Sequence, residues 1–219
     1  MEASQTENKR FRIFSKVAFF FSLLGTCVFI VLVSLSHVYA VRNGYDWTYW
    51  ELSELVLYGN TAKILFNVGV IVDGILLIPI LIILSRYFIE KSYRISYLVI
   101  SSLTCFSLIG LGAFSEDVFV VTHYIFGTMF FVFCSILIGF ISVYLIRKMK
   151  TIEKIYPIMG FITLFALVFH LATRWLFGMA FTQRIAVVFS LIFLLVFACR
   201  LVFTREKNLS GNKSQVKKI

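Results

Sequence analysis

Six long apolar runs, separated by short polar segments, make up most of this chain. A helix of about 20 residues crosses a hydrocarbon core of about 30 Å, so each run is long enough to span a membrane. Runs as long and continuously apolar as these do not fit the alternating strands of a membrane barrel. The pattern therefore predicts an all-α polytopic membrane protein, a six-transmembrane-helix bundle without a separate soluble domain. The predicted spans are about 17–41, 61–88, 97–114, 118–146, 157–180 and 185–203.

Composition strengthens this interpretation, and the distribution of charge gives it an orientation. The chain is 60% hydrophobic and 15% charged, with a mean hydropathy of +0.92, whereas a soluble domain is nearer half apolar and a quarter charged. Seventeen of the 21 Lys and Arg residues lie at or beyond the helix ends on one predicted side of the membrane, which is also the side of the terminal segments 1–16 and 204–219. The four others are Arg42, Lys63, Arg174 and Arg184. This asymmetry predicts cytoplasmic N and C termini.

The same basic segments indicate which partners to expect. Lys and Arg beside the inner headgroups attract anionic lipids, so membrane lipids and anionic inner-leaflet headgroups are the predicted partners. The charge is spread over short inner connections rather than gathered in one domain, so we do not expect nucleic acid as a partner. We expect a multi-pass integral protein of the cell membrane.

The first run has an alternative interpretation as a cleaved signal peptide. It has a basic start, and Val38-Tyr39-Ala40 resembles a cleavage site. The apolar region of a signal peptide is about 7–15 residues long, and this run is longer. We therefore expect a retained first helix, while cleavage would leave five spans.

The outer connection 42–60 is rich in aromatic residues that favour headgroup depth. Trp47, Trp50, Glu51 and Glu54 are three or four residues apart. This spacing predicts a short amphipathic helix on the outer surface, either a membrane anchor or a lid over an outward-facing site.

Polar residues within or beside the spans are candidate ligand-binding residues, because ionisable groups are costly in a bilayer. At 1.5 Å per residue, Asn67, His123 and Arg174 each lie about 8–9 Å below an outer helix end. We therefore predict a polar cavity in the outer half of the membrane, in which Arg174 needs a carboxylate partner. The candidates for that partner are Asp73, Glu116 and Asp117. The predicted site residues are Asn67, Asp73, Glu116, Asp117, His123, His170 and Arg174.

The leading hypothesis is that this cavity binds or handles a lipid or a small polar ligand. Alternatives are a lipid-processing enzyme with a His/Asp centre, a proton-coupled transporter and a structural membrane scaffold. His123, His170 and Asp73 could supply three metal ligands, but no HxxxH or HExxH motif supports a metal site, so none is predicted. The residues do not decide between catalysis and binding, and they indicate neither a cofactor nor an oligomeric state.

Two stretches resemble an uncharacterised family of six-span membrane proteins, the DUF-998 family. One is Trp50-Glu51-Leu52-Ser53-Glu54-Leu55 followed by Ile64-Leu65-Phe66-Asn67; the other is Gly112-Ala113-Phe114-Ser115-Glu116-Asp117 followed by His123. The resemblance implies a six-helix bundle and makes Asn67, Glu116, Asp117 and His123 the family-type polar positions. Ser115 stands where that family usually has proline. The family looks distantly related to FRAG/DRAM/SFK-like membrane proteins, some of which act in lipid processing.

Overall fold

The computed structural model describes residues 2–88, 90–148, 155–177 and 181–216, and this part of the chain is all-α. Each of its six long helices contains a segment long and apolar enough to cross a membrane, which confirms the six-span prediction. The helices are α1 Glu2–Arg42, α2 Asn60–Ser85, α3 Lys91–Ala113, α4 Val120–Lys148, α5 Ile155–Phe177 and α6 Thr182–Val216. The predicted inner connection 149–154, the end of the fifth span at 178–180 and the last tail residues 217–219 lie outside the described residues.

The helices form a closed ring. Each helix packs against the next one in the sequence, and α1 also contacts α6. Leu137, Ile138 and Ile141 of α4 are fully buried inside the bundle, whereas large apolar side chains such as Val31 and Phe165 are exposed on its outside. Apolar side chains on both faces are expected where lipid rather than water surrounds the helices.

A close helix contact depends on Gly112 of α3. A Cβ atom at this position would lie 2.8 Å from the backbone oxygen of Asn67 and 2.8 Å from Cγ1 of Ile71, both on α2. Backbone cannot move aside as a flexible side chain can. The missing side chain therefore lets α3 lie directly against α2, as small residues do between membrane helices.

The connections 43–59 and 114–119 lie at one end of the ring, which we call the polar end. Connection 43–59 ends in a short 3₁₀ helix, Ser53–Leu57, whose Leu55 and Val56 are buried. Gly59 then has a φ of 115°, a conformation that favours glycine, and α2 follows.

The amphipathic helix predicted through Trp47 and Glu54 is wrong. Residues 47–49 form a turn, and Trp47 and Trp50 are 55% and 40% exposed, as expected of interfacial aromatics. Glu51, by contrast, is only 8% exposed and is turned into the protein. The sequence spacing does not predict where the Glu51 side chain points, because its contacts with Arg174 of α5 and Gln183 of α6 decide that direction.

Candidate functional site

An ion pair between Arg174 and Glu51 lies at the centre of the polar end. Nε of Arg174 is 3.0 Å from Oε1 of Glu51, and both side chains are largely buried. The guanidinium also lies over the ring of Tyr124, 4.8 Å from its centroid, which is a cation–π geometry. The prediction that Arg174 pairs with a carboxylate is confirmed, but the partner is Glu51 of connection 43–59 and none of the three predicted carboxylates.

Gln183, at the start of α6, holds Glu51 and the 3₁₀ helix in place. Its Oε1 accepts hydrogen bonds from the backbone N–H groups of Leu52, at 2.6 Å, and Ser53, at 3.3 Å. Its Nε2 donates to Oε2 of Glu51 at 3.4 Å. These bonds satisfy amides at the beginning of a short helix that has no side-chain cap of its own. One side chain thus fastens connection 43–59 to the helix ring.

Tyr45 and Arg184 fasten the other side of the same connection. The Tyr45 hydroxyl donates to the backbone oxygen of Glu51 at 2.9 Å and accepts a hydrogen bond from Arg184. Arg184 also donates to the backbone oxygen of Trp50 at 2.9 Å. Burial raises the pKa of Tyr45 to about 12, so its hydroxyl keeps its proton and remains a donor at neutral pH.

Three carboxyl groups surround Arg174, and burial disfavours the charge on each of them. Burial raises the pKa of Glu51 from 4.5 to about 7; Arg174 opposes this increase, and Glu54 and Glu116 add to it. Burial also raises the pKa of Glu54 and of Glu116, again against Arg174. Glu51 therefore changes its charge near neutral pH, and the charge available to Arg174 changes with it.

Glu116 connects this ion pair to His123. Oε1 of Glu116 accepts a hydrogen bond from the Tyr124 hydroxyl at 2.8 Å, and its Oε2 lies 3.6 Å from Nε2 of His123. Nδ1 of His123 is 2.8 Å from the backbone oxygen of Phe114, which can only accept, so Nδ1 carries a proton. His123 and Glu116 are both buried. In the neutral ring Nε2 is then an acceptor, so Nε2 and Oε2 of Glu116 face each other favourably only when one of them carries a proton.

The structure brings Glu116, His123 and Arg174 together, but it places the other predicted residues elsewhere. Asp117 is at the surface, where its Oδ2 is 2.8 Å from Nζ of Lys63. His170 is fully buried, with Nδ1 3.0 Å from the Thr182 hydroxyl. Asn67 contributes no described hydrogen bond to the cluster, and its Oδ1 has no partner among the described residues. Asp73 accepts from Thr26 at 3.3 Å within the bundle.

A groove runs along α4 from the polar end. Seven of its described lining residues lie on α4 at helical spacing, so they form one face of that helix. Arg174 of α5 also lines the groove, whose volume is about 800 Å³. The α4 residues are Val121, Tyr124, Ile125, Thr128, Met129, Val132 and Phe133.

The groove has the length of one lipid leaflet. From Val121 to Phe133 it extends about 18 Å along the helix. Half of a hydrocarbon core of about 30 Å is similar. Val121 and Ile125 are well exposed on the outside of the bundle, where the bilayer lies. The groove thus joins a lipid-facing apolar wall to a cation at its end.

Sequence reasoning missed Glu51, Tyr124 and Gln183. The sequence spacing predicts Glu51 on a surface helix. Gln183 is an uncharged polar residue at a helix start, which gives no signal of its own. The carboxylates predicted to pair with Arg174 all lie in or next to the spans, whereas Glu51 lies in the middle of connection 43–59. The signal that could identify Glu51 is that it is one of five acidic residues in the predicted outer connections.

Comparisons with known proteins leave the chain without an assigned family. No family model matches it, and neither the curated proteins nor the solved structures contain a match. Within the described residues, no three His, Cys, Asp or Glu side chains form a group that could hold a metal ion. Function must therefore be inferred from the site and the groove.

Proposed function

We propose that this polytopic membrane protein binds a glycerophospholipid of the outer leaflet. One acyl chain lies in the α4 groove, and the lipid phosphate pairs with Arg174. The observation that carries the proposal is the position of Arg174, which lines one end of a largely apolar groove about one leaflet long. The outer position of this end comes from the distribution of Lys and Arg in the sequence.

Arginine suits this role because its planar guanidinium can donate two parallel hydrogen bonds to phosphate. In the lipid-free protein Glu51 forms an ion pair with Arg174, so phosphate and Glu51 compete for the same guanidinium. Protonation of Glu51 removes its charge and makes Arg174 available. Lipid binding is therefore coupled to pH, and it strengthens as the pH falls through about 7.

The other functions considered have less support. Glu116 and His123 form a possible acid–base pair for an enzyme, but both are buried and neither is among the described residues that line the groove. A purely structural role for Arg174 would explain its ion pair with Glu51 but not its place in the groove. The resemblance to DUF-998 remains a proposal that rests on the two sequence stretches alone.

Native mass spectrometry of the purified protein in detergent tests the proposal. Phosphatidylglycerol, a diacylglycerol with the same chains and glycerol phosphate are added separately. We expect the protein to retain phosphatidylglycerol, to retain much less diacylglycerol and to retain little glycerol phosphate. The reason is that the site needs both the acyl chain and the phosphate. Arg174→Ala should reduce phosphatidylglycerol retention at least about tenfold, the loss of one charge-assisted contact.

Arg42→Ala is the matched control, because Arg42 is exposed at the end of α1 at the same polar end. It removes an equal charge without touching the groove. Equal retention by the Arg174→Ala and Arg42→Ala proteins would reject the proposal, and equal retention of diacylglycerol and phosphatidylglycerol would reject the role of phosphate.

A further inference from the structure

A second cavity lies inside the ring, apart from the α4 groove. Its volume is about 60 Å³, and its described lining residues come from α1, α2, α3, α4, α6 and the outer connection. Leu52, Ser53 and Gln183 line it at the polar end, and Asp73 lines it deep within the bundle. Helices line its sides, and Leu52 and Ser53 at the start of the fastened 3₁₀ helix lie over it at the polar end.

Asp73 has no cationic partner among the described residues that line this cavity. Asp73 is only 3% exposed, and its carboxylate accepts a hydrogen bond from the Thr26 hydroxyl at 3.3 Å. None of the described lining residues is Lys, Arg or His. An ionised carboxylate within a membrane is costly unless a positive charge accompanies it. The described residues thus leave the negative charge of Asp73 without a counter-charge, which a cationic ligand would supply.

The remaining walls limit which cation fits. Phe29, Phe66, Phe130 and Phe131 line the cavity together with aliphatic side chains. Aromatic faces attract organic ammonium ions, and apolar walls favour their alkyl groups. A metal cation would instead need several oxygen ligands, as Ca²⁺ does. A cavity lined by four phenyl rings and one carboxylate matches an alkylammonium ion better than a hydrated metal ion.

We propose that the central cavity binds a small alkylammonium ion whose charged nitrogen pairs with Asp73. Its alkyl group contacts the phenylalanine rings. The ligand enters from the polar end, where displacement of the 3₁₀ helix opens the cavity. This site uses none of the phospholipid contacts of Arg174, so either site can exist without the other.

Thermal unfolding of the detergent-solubilised full chain tests this site with n-propylammonium chloride as the probe. A ligand that binds the folded state raises the unfolding midpoint with its concentration. We expect a rise for the wild-type protein, and none with sodium chloride or the neutral 1-propanol. In Asp73→Asn the same rise should require at least about tenfold more probe, because the charge-assisted contact is lost.

A second variant keeps the experiment decisive if Asp73→Asn does not fold. Leu191→Phe places a larger side chain on the cavity wall and leaves Asp73 intact, and it should also weaken the response. The proposal is overturned by an absent response in the wild type, by an equal response to 1-propanol or by an unchanged response in the variant that folds. Phosphatidylglycerol retention should stay normal in both variants, which separates this site from the groove.

Discussion

Replacing Glu51 with glutamine tests the competition between this carboxylate and lipid phosphate. The substitution keeps the size of the side chain and a hydrogen-bonding oxygen but removes the charge that holds Arg174. Gln183 can still donate to that oxygen, so the 3₁₀ helix should stay in place. We expect Glu51→Gln to bind phosphatidylglycerol more tightly than the wild type at alkaline pH and with little dependence on pH.

The magnitude follows from the pKa of Glu51, which is about 7. If only protein with protonated Glu51 leaves Arg174 free for phosphate, the apparent affinity scales with the protonated fraction. That fraction is about nine-tenths near pH 6 and about one-tenth near pH 8, so wild-type affinity should change about tenfold. Below the pKa the wild type and Glu51→Gln should bind alike, and above it they should diverge.

Native mass spectrometry of phosphatidylglycerol titrations, after equilibration at each pH, measures this difference. Asp46→Asn is the control, since Asp46 lies in the same connection but is exposed and bonds to Thr48. Glu54 and Glu116 also interact with Arg174, and burial raises the pKa of both carboxyl groups. Their Gln variants therefore show whether they contribute to the pH dependence of lipid binding. An equally steep pH dependence in Glu51→Gln would refute the competition.

Two further predictions concern the scaffold that holds the site. Gly112→Ala should lower stability by about 1–3 kcal/mol through overpacking, measured as a lower unfolding midpoint. Gly127→Ala is its control, because among the described residues a Cβ there meets only Leu111 Cδ1, at 3.4 Å. Equal effects of the two substitutions would contradict the close contact. Gln183→Leu should speed hydrogen exchange at the amides of Leu52 and Ser53, which lose their acceptor. Unchanged exchange, measured by mass spectrometry, would show that Gln183 does not fasten the connection.

The fold was predictable because a bilayer imposes strong constraints on helix length. Each membrane segment must be about 20 apolar residues long and must satisfy its own backbone hydrogen bonds, so long apolar runs identify helices directly. The ends of spans such as 61–88 and α2, Asn60–Ser85, differ by only a few residues. No comparable constraint acts on the connection that contains Glu51.

The site was only partly predictable, for a physical reason. Depth along the helix axis placed His123 and Arg174 at similar levels, and they do share the cluster with Glu116. Depth does not give the rotation of a helix about its axis, which decides whether residues at one level meet. Asn67 was expected at that level too, yet it contributes no described contact to the cluster.

The most direct test of phospholipid binding is photo-crosslinking in nanodiscs with a phosphatidylglycerol that carries a photoreactive group on one acyl chain. Mass spectrometry then locates the modified residues. We predict labelling concentrated on the α4 groove, at Ile125, Met129 and Phe133, and reduced by Arg174→Ala. Labelling of equal intensity at other lipid-exposed residues, such as Val31 of α1 and Phe165 of α5, and unaffected by Arg174→Ala, would contradict it.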